Sequence, residues 1–144
     1  MGYVDVKGVM GNPKGTPKRE VELLVDTGAF HSAIPKELAA DLKLEAAGEI
    51  SVTLADKREV KAPISLAYFK VLDRESILPI VIIDVPKPLL GTTTLEGLGL
   101  KVDPVAGKLE HSRPFGAALL RCAARPNLAA FQYVKRERSE GLQV

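Results

Sequence analysis

The sequence predicts a mainly β fold with one or two short helices, and three observations support this prediction. Short apolar runs recur along the chain, and some alternate with polar residues as a half-buried strand does, for example at residues 3–9. Clusters of turn-forming residues separate these runs, as at residues 11–17. Helical patterns are clear only in two short segments, residues 35–42 and 92–98, and the pattern of residues 127–134 does not decide between a strand and a helix. Because there is no Trp, the core must be built largely from Val, Leu, Ile and Ala.

Length and composition favour a single soluble domain. The chain has 144 residues and a formal net charge of only +2, which does not suggest a nucleic-acid-binding protein. Its single cysteine, Cys122, excludes an intrachain disulfide and is typical of a reducing compartment. No apolar stretch follows a basic start, and no run approaches the roughly 20 apolar residues of a membrane span. We therefore expect a cytoplasmic protein without a signal peptide or a membrane partner.

The most informative stretch is residues 23–29, an apolar run that leads into Asp26. Residues 3–9 and 19–25 predict a hairpin that delivers this carboxylate, and Gly28 allows the chain to turn sharply after it. The connecting segment lacks the spacing of a phosphate-binding loop and is interpreted as a hairpin turn. Asp26 is therefore expected in a loop held by a rigid sheet, where catalytic groups are often found. By itself, an Asp-Thr-Gly triplet is equally compatible with an ordinary turn.

Two helices are predicted. The first covers residues 35–42 and has a packing role only. The second covers residues 92–98, where Thr93 and Glu96 have the spacing of a capping box. The glycines of Gly97-Leu98-Gly99 are expected to end this helix early.

The middle of the chain predicts two hairpins. Residues 49–54 and 59–72 form the strands of the first, joined by a turn at residues 55–58. Residues 73–76 are interpreted as a charged turn. Residues 77–85 are almost continuously apolar and predict a strand buried on both faces.

Four segments resemble the retropepsin-like aspartic proteases, specifically their single-domain prokaryotic members. They are VDTGA at 25–29, the IPKELAADL helix at 34–42, LLG at 89–91 and the VDPVAGKL hairpin at 102–109. The resemblance implies a closed acid-protease barrel. It divides the chain into a protease domain over residues 1–110 and a C-terminal extension over residues 111–144.

The resemblance also implies roles for individual residues. Asp26 is the catalytic residue, and the Thr27 hydroxyls of two subunits hydrogen-bond across a dimer. The N–H of Gly28 bonds Asp26, and Ala29 lines the floor of the cleft. Gly91 has a structural role, because it lets the strand before it pass close beside the Asp26 loop.

The same resemblance places the substrate cleft between this loop and a flap. Phe30 and His31 occupy subsite positions, although His31 is equally interpretable as a solvated or hydrogen-bonded loop residue. The flap is the hairpin over residues 49–67, whose tip consists of Ala55, Asp56, Lys57 and Arg58. This tip is charged and lacks the glycines of the viral enzymes, so a plain solvated hairpin stays open as an alternative.

The chemistry of peptide hydrolysis predicts a homodimer. Two carboxyls that share one proton supply both the base that activates water and the acid that protonates the leaving nitrogen, and this pair works below about pH 7. The chain has one Asp-Thr-Gly, and Asp84 is followed by no Thr-Gly. The second carboxylate must therefore be Asp26 of another subunit. No metal-site spacing occurs and no cofactor is expected, so the prediction is an aspartic endopeptidase that acts on extended peptides.

Two other interpretations remain. The same fold is compatible with a non-catalytic dimerisation or peptide-binding module. Residues 113–144 carry six Lys and Arg against two Glu, which is compatible with a basic docking tail for nucleic acid or an acidic partner. Alternatively, residues 117–120 supply a strand to a dimer interface, as the family resemblance implies.

Overall fold

The computed structural model describes residues 4–114, which contain nine strands and two helices. The expected interface strand at residues 117–120 and the basic segment lie outside the described residues. All the elements belong to the first of the two units into which the chain divides, Met1–Ser112. They are β1 Val4–Gly11, β2 Lys18–Val25, β3 Ser32–Ile34, α1 Lys36–Asp41, β4 Gly48–Thr53, β5 Glu59–Val71, β6 Arg74–Ile82, β7 Leu89–Leu90, α2 Thr92–Leu98, β8 Leu100–Asp103 and β9 Lys108–His111.

Six strands close into a barrel in the order β1-β2-β7-β3-β6-β5, because β5 also pairs with β1. The β1–β2 and β5–β6 pairs are antiparallel hairpins, whereas β2–β7 and β3–β6 are parallel. Strand β4 pairs with β5 outside the ring, and β8 and β9 form a separate two-stranded sheet. The predicted all-β barrel with short helices is therefore confirmed.

The core fills the barrel with aliphatic side chains, as the composition predicts. Met10, Leu23 and Leu90 are fully buried, and Phe69 is the large aromatic residue among them. Helix α2 packs on β3, β6 and β8 through its buried residues. Neither helix among residues 4–114 is long and apolar enough to span a bilayer.

The prediction of a charged turn over residues 73–76 is wrong, because the observed turn is shorter and begins one residue earlier. The chain reverses over Leu72 and Asp73 alone, and Arg74 already belongs to β6. The side chain of Arg74 is only 4% exposed and donates from Nη1 to the carbonyl oxygen of Leu98 at 3.0 Å. This arginine therefore caps the end of α2. Its place in a strand was not predicted, because the charged residues around it are typical of a turn.

The expectation of a strand buried on both faces over residues 77–85 is also wrong. Strand β6 ends at Ile82, and Ile77 remains 47% exposed. Side chains along a strand alternate between the two faces of the sheet, and on β6 the side chains of Glu75, Ile77 and Pro79 share one face and are all exposed. Burial of β6 on both faces is accordingly confined to Ile80 and Val81.

The predicted capping box at the start of α2 does not form. Gly91 is the N-cap, and no side chain forms a capping hydrogen bond at the N-terminal end of the helix. Gly99 ends the helix in the left-handed conformation, with a φ of 67°, whereas Gly97 lies inside it. A Cβ at Gly97 would lie 2.6 Å from Cδ2 of Leu78, so this glycine permits close packing on β6.

Candidate active site

Asp26 directly follows β2 and is held by backbone contacts. Its N–H donates to the carbonyl oxygen of Leu90 at 3.0 Å, which joins the residue to β7. The N–H of Gly28 donates to Oδ1 of Asp26 at 3.0 Å, and the N–H of Ala29 donates to its carbonyl oxygen at 3.2 Å. Oδ2 accepts no hydrogen bond from any residue within 4–114. The loop thus fixes one carboxylate oxygen and leaves the other available.

The first turn of α2 forms hydrogen bonds to the loop that follows Asp26. The N–H of Thr92 donates to the carbonyl oxygen of Ala29 at 2.8 Å. The N–H of Thr93 donates to the carbonyl oxygen of Phe30 at 3.1 Å, and the Thr93 hydroxyl donates to the same oxygen at 2.8 Å. These N–H groups have no partner within a helix, so the loop satisfies donors that α2 leaves open.

Beneath this contact lies a fully buried hydroxyl pair. Oγ of Ser32 and Oγ1 of Thr94 are 2.5 Å apart, and Ser32 Oγ also accepts from the N–H of Gly91 at 2.9 Å. A Cβ at Gly91 would lie 2.6 Å from the carbonyl carbon and oxygen of His31. Only glycine fits where β7 enters α2, because a methyl group would collide with backbone atoms.

A cavity of about 620 Å³ opens beside Asp26, between the loop and the hairpin of β4 and β5. Among residues 4–114, Asp26 is the only carboxylate that lines it, and His31 is the only other titratable residue that does. The remaining lining residues are mostly apolar, which suits the side chains of an extended peptide. They are Gly28, Ala29, Phe30, Ala33, Ser51, Val52, Thr53, Leu54, Ala55, Val81, Ile83, Val85 and Leu89.

Most of the residues predicted around the Asp26 loop lie in this cavity, but Thr27 does not. Thr27 is exposed and lies outside the lining. Phe30 is 68% exposed, and its ring meets that of His31 edge to face at 4.8 Å between centroids. Nδ1 of His31 is buried and has no hydrogen-bond partner within residues 4–114.

Of the four predicted tip residues of the hairpin, only Ala55 lines the cavity. Nε of Arg58 instead contacts Oδ2 of Asp56 at 2.6 Å, and the N–H of Arg58 donates to Oδ1 of Asp56. Lys57 takes a left-handed conformation with a φ of 69°. The charged side chains therefore shape the turn, and the strand end at residues 51–54 contributes the wall of the cavity.

Val81, Ile83 and Val85 form a wall of the cavity that was not predicted from the sequence. These residues alternate with a period of two, which places them on one side of an extended chain and was the available signal. Asp84 lies between them in sequence but is exposed and does not line the cavity. Among residues 4–114, no group of three or more His, Cys, Asp or Glu side chains is arranged to hold a metal ion.

Comparison with known proteins defines the class. Residues 6–98 match a family model described as aspartyl protease, and this range includes both Asp26 and Gly91. With its barrel and its Asp-Thr-Gly loop, the chain belongs to the retropepsin-like aspartic proteases.

Solved structures agree on the fold. The chain is similar to EIAV protease complexed with the inhibitor HBY-793, with a TM-score of 0.54 and 19% identity. The alignment covers 71% of this chain and 93% of the viral one. A search of curated proteins finds no match.

Proposed function

We propose that this protein is an aspartic endopeptidase that acts as a homodimer, with one Asp26 from each subunit in a shared site. The observation that carries the proposal is the cavity beside Asp26, to which residues 4–114 contribute a single carboxylate. Hydrolysis of a peptide bond by a water molecule needs a base and an acid, and two carboxyls that share one proton supply both. Two-fold symmetry brings a residue to its own copy, so a dimer supplies the second carboxyl without another acidic residue in the chain.

In this mechanism the loop contacts position the carboxylates. The hydrogen bond from Gly28 orients Oδ1 of Asp26, while Oδ2 is left to face the partner and the water. One Asp26 takes a proton from water, which attacks the carbonyl carbon of the peptide. The other Asp26, protonated, gives its proton to the nitrogen of the breaking bond. The two carboxyls return to one shared proton when the products leave.

The substrate we infer is an extended peptide with apolar side chains. The cavity wall combines Phe30, Val81 and Leu89 with the strand end of the hairpin at residues 51–54. The exposed edge of β4 offers backbone groups for pairing with an extended chain, because β4 pairs only with β5 among the described strands.

The test is cleavage of an unfolded protein substrate between about pH 4 and pH 7, where paired carboxyls share a proton. Asp26→Asn is compared with the wild type, and sedimentation measures the oligomeric state of both. Asp84→Asn is the matched control, since this exposed carboxylate lies outside the cavity. We expect Asp26→Asn to remain dimeric and lose cleavage, while Asp84→Asn retains both. A folded wild-type dimer that cleaves at no pH would instead favour a peptide-binding module.

A further inference from the structure

Thr93 holds the loop of the candidate site through its side chain as well as its backbone. Its hydroxyl and its N–H both donate to the carbonyl oxygen of Phe30, at 2.8 and 3.1 Å. The neighbouring Thr92 bonds the loop through its N–H alone, and its hydroxyl makes no hydrogen bond within residues 4–114. Two donors that converge on one oxygen fix the direction of the Phe30 peptide group.

Phe30, whose carbonyl oxygen Thr93 binds, forms part of the wall of the cavity. The Phe30 side chain lines the cavity, is 68% exposed and packs edge to face on His31. The carboxylate of Asp26 is oriented by a different contact, the N–H of Gly28. Thr93 therefore acts on the apolar wall beside the reacting groups, and the orientation of the Asp26 carboxylate does not depend on its hydroxyl.

We propose that Thr93 is a positioning residue that sets the affinity for an apolar substrate side chain by fixing Phe30. This inference rests on the proposed function, because it concerns the peptide bound in the same cavity. Fixing the wall before binding lowers the entropy lost when a peptide side chain packs against it. The hydroxyl should therefore act mainly on KM and little on kcat.

Three variants separate the hydroxyl from the rest of the residue. Thr93→Val removes the hydroxyl, and valine has the shape and the helix propensity of threonine, so α2 should form normally. Thr93→Ser keeps the hydroxyl and should rescue the function. Thr92→Val removes a hydroxyl from the same helical turn while its N–H still reaches Ala29, which makes it the matched control.

The assay uses two extended peptides, one with Leu-Phe at its centre and one with Ala-Ala there. For the Leu-Phe peptide, we expect Thr93→Val to raise KM about fivefold and to change kcat by less than about twofold, as the loss of one hydrogen bond would. The KM of the Ala-Ala peptide should change much less, because it reaches Phe30 with smaller side chains. Thr93→Ser and Thr92→Val should keep the wild-type values.

The same peptides are then titrated into Asp26→Asn protein, with and without Thr93→Val, so that binding is measured without turnover. Weaker binding of Leu-Phe in the double variant supports the inference even if no protein cleaves. Cleavage by the wild type with an unchanged Thr93→Val KM overturns the inference and leaves the proposed function standing. An equal rise of KM for both peptides also overturns the inference, because it would indicate a general loss of structure and not a specific effect on the contact with Phe30. Binding of neither peptide overturns both proposals.

Discussion

Gly91 and His31 lie with their backbones in contact, and this contact joins the start of α2 to the loop of Asp26. A Cβ at Gly91 would lie 2.6 Å from the carbonyl carbon and oxygen of His31 and 2.8 Å from the nitrogen of Ser32. The strand that precedes Gly91 also accepts the hydrogen bond from the N–H of Asp26, through Leu90. A displacement of Gly91 should therefore disturb the Asp26 loop at both of these contacts.

The first prediction concerns Gly91→Ala. The added methyl group must displace backbone, so we expect a loss of roughly 1–3 kcal/mol or more in the free energy of unfolding. Gly97→Ala is the control, because its Cβ meets only the end of the Leu78 side chain, which can rotate, and alanine favours the helix by about 0.5–1 kcal/mol. Urea unfolding at one protein concentration measures both. Equal destabilisation of the two variants would contradict the assigned contact.

The second prediction concerns the buried pair of Ser32 and Thr94. Ser32→Ala leaves the N–H of Gly91 and the hydroxyl of Thr94 without their partner, which should cost about 1–3 kcal/mol of unfolding free energy. Thr94→Val should cost less, because Ser32 still accepts from Gly91. The double variant should be more stable than the sum of the single effects predicts, which a double-mutant cycle measures. Strictly additive effects would show that the hydroxyls do not interact.

The third prediction concerns pH. The hydrogen bond from Nε2 of His111 to Oδ1 of Asp73, at 2.6 Å, is the main cause that holds the pKa of this carboxyl below its usual value, and desolvation opposes it. The folded chain then binds fewer protons than the unfolded chain. The stabilisation is present above the pKa of an unfolded Asp, about 3.9, and is lost as pH falls through the lower folded pKa.

Replacement of His111 tests whether its hydrogen bond lowers the pKa of Asp73. His111→Gln should move the pKa of Asp73 back up towards its usual value, as followed by carbon NMR of the carboxyl group. Lys101→Gln is the control, because Lys101 pairs with Glu110 at 3.5 Å in the same hairpin and does not touch Asp73. An unchanged titration of Asp73 in His111→Gln would refute the contact.

The fourth prediction concerns the tip of the β4–β5 hairpin. Lys57 has a φ of 69°, a conformation that costs an L-residue about 1 kcal/mol and costs glycine little. Lys57→Gly should therefore leave the stability unchanged or raise it by up to about 1 kcal/mol, whereas Lys61→Gly in β5 should lower it by about 0.5–1 kcal/mol. Thermal unfolding compares them. If Lys57→Gly lost as much stability as Lys61→Gly, the left-handed conformation assigned to Lys57 would be contradicted.

The features that depend on local sequence were predictable. An apolar strand that ends in Asp26, with Gly28 two residues later, specifies the loop through neighbouring residues alone. The apolar and turn patterns likewise predicted a mainly β fold, whereas the closed barrel was implied by the resemblance to the retropepsin-like proteases.

The features that were missed depend on partners distant in sequence. Thr93 and Glu96 have the local spacing of a capping box, but Phe30, 63 residues away, takes both donors of Thr93. Arg74 stands in a charged stretch, yet it also donates a hydrogen bond to the end of α2. The cavity wall of Val81, Ile83 and Val85 acquires its role only when the hairpin packs opposite it, which no local pattern specifies.

The proposed pairing of two Asp26 carboxyls is tested most directly by mixing subunits. Wild-type and Asp26→Asn chains are unfolded together in equal amounts and refolded at constant total concentration, with a tag on one chain to confirm mixed dimers. Random pairing leaves about a quarter of the dimers with two intact Asp26 residues, so cleavage should fall to about half of that from the same chains refolded separately. Equal cleavage by both preparations, with mixed dimers present, would show that each Asp26 acts alone and would contradict the shared site.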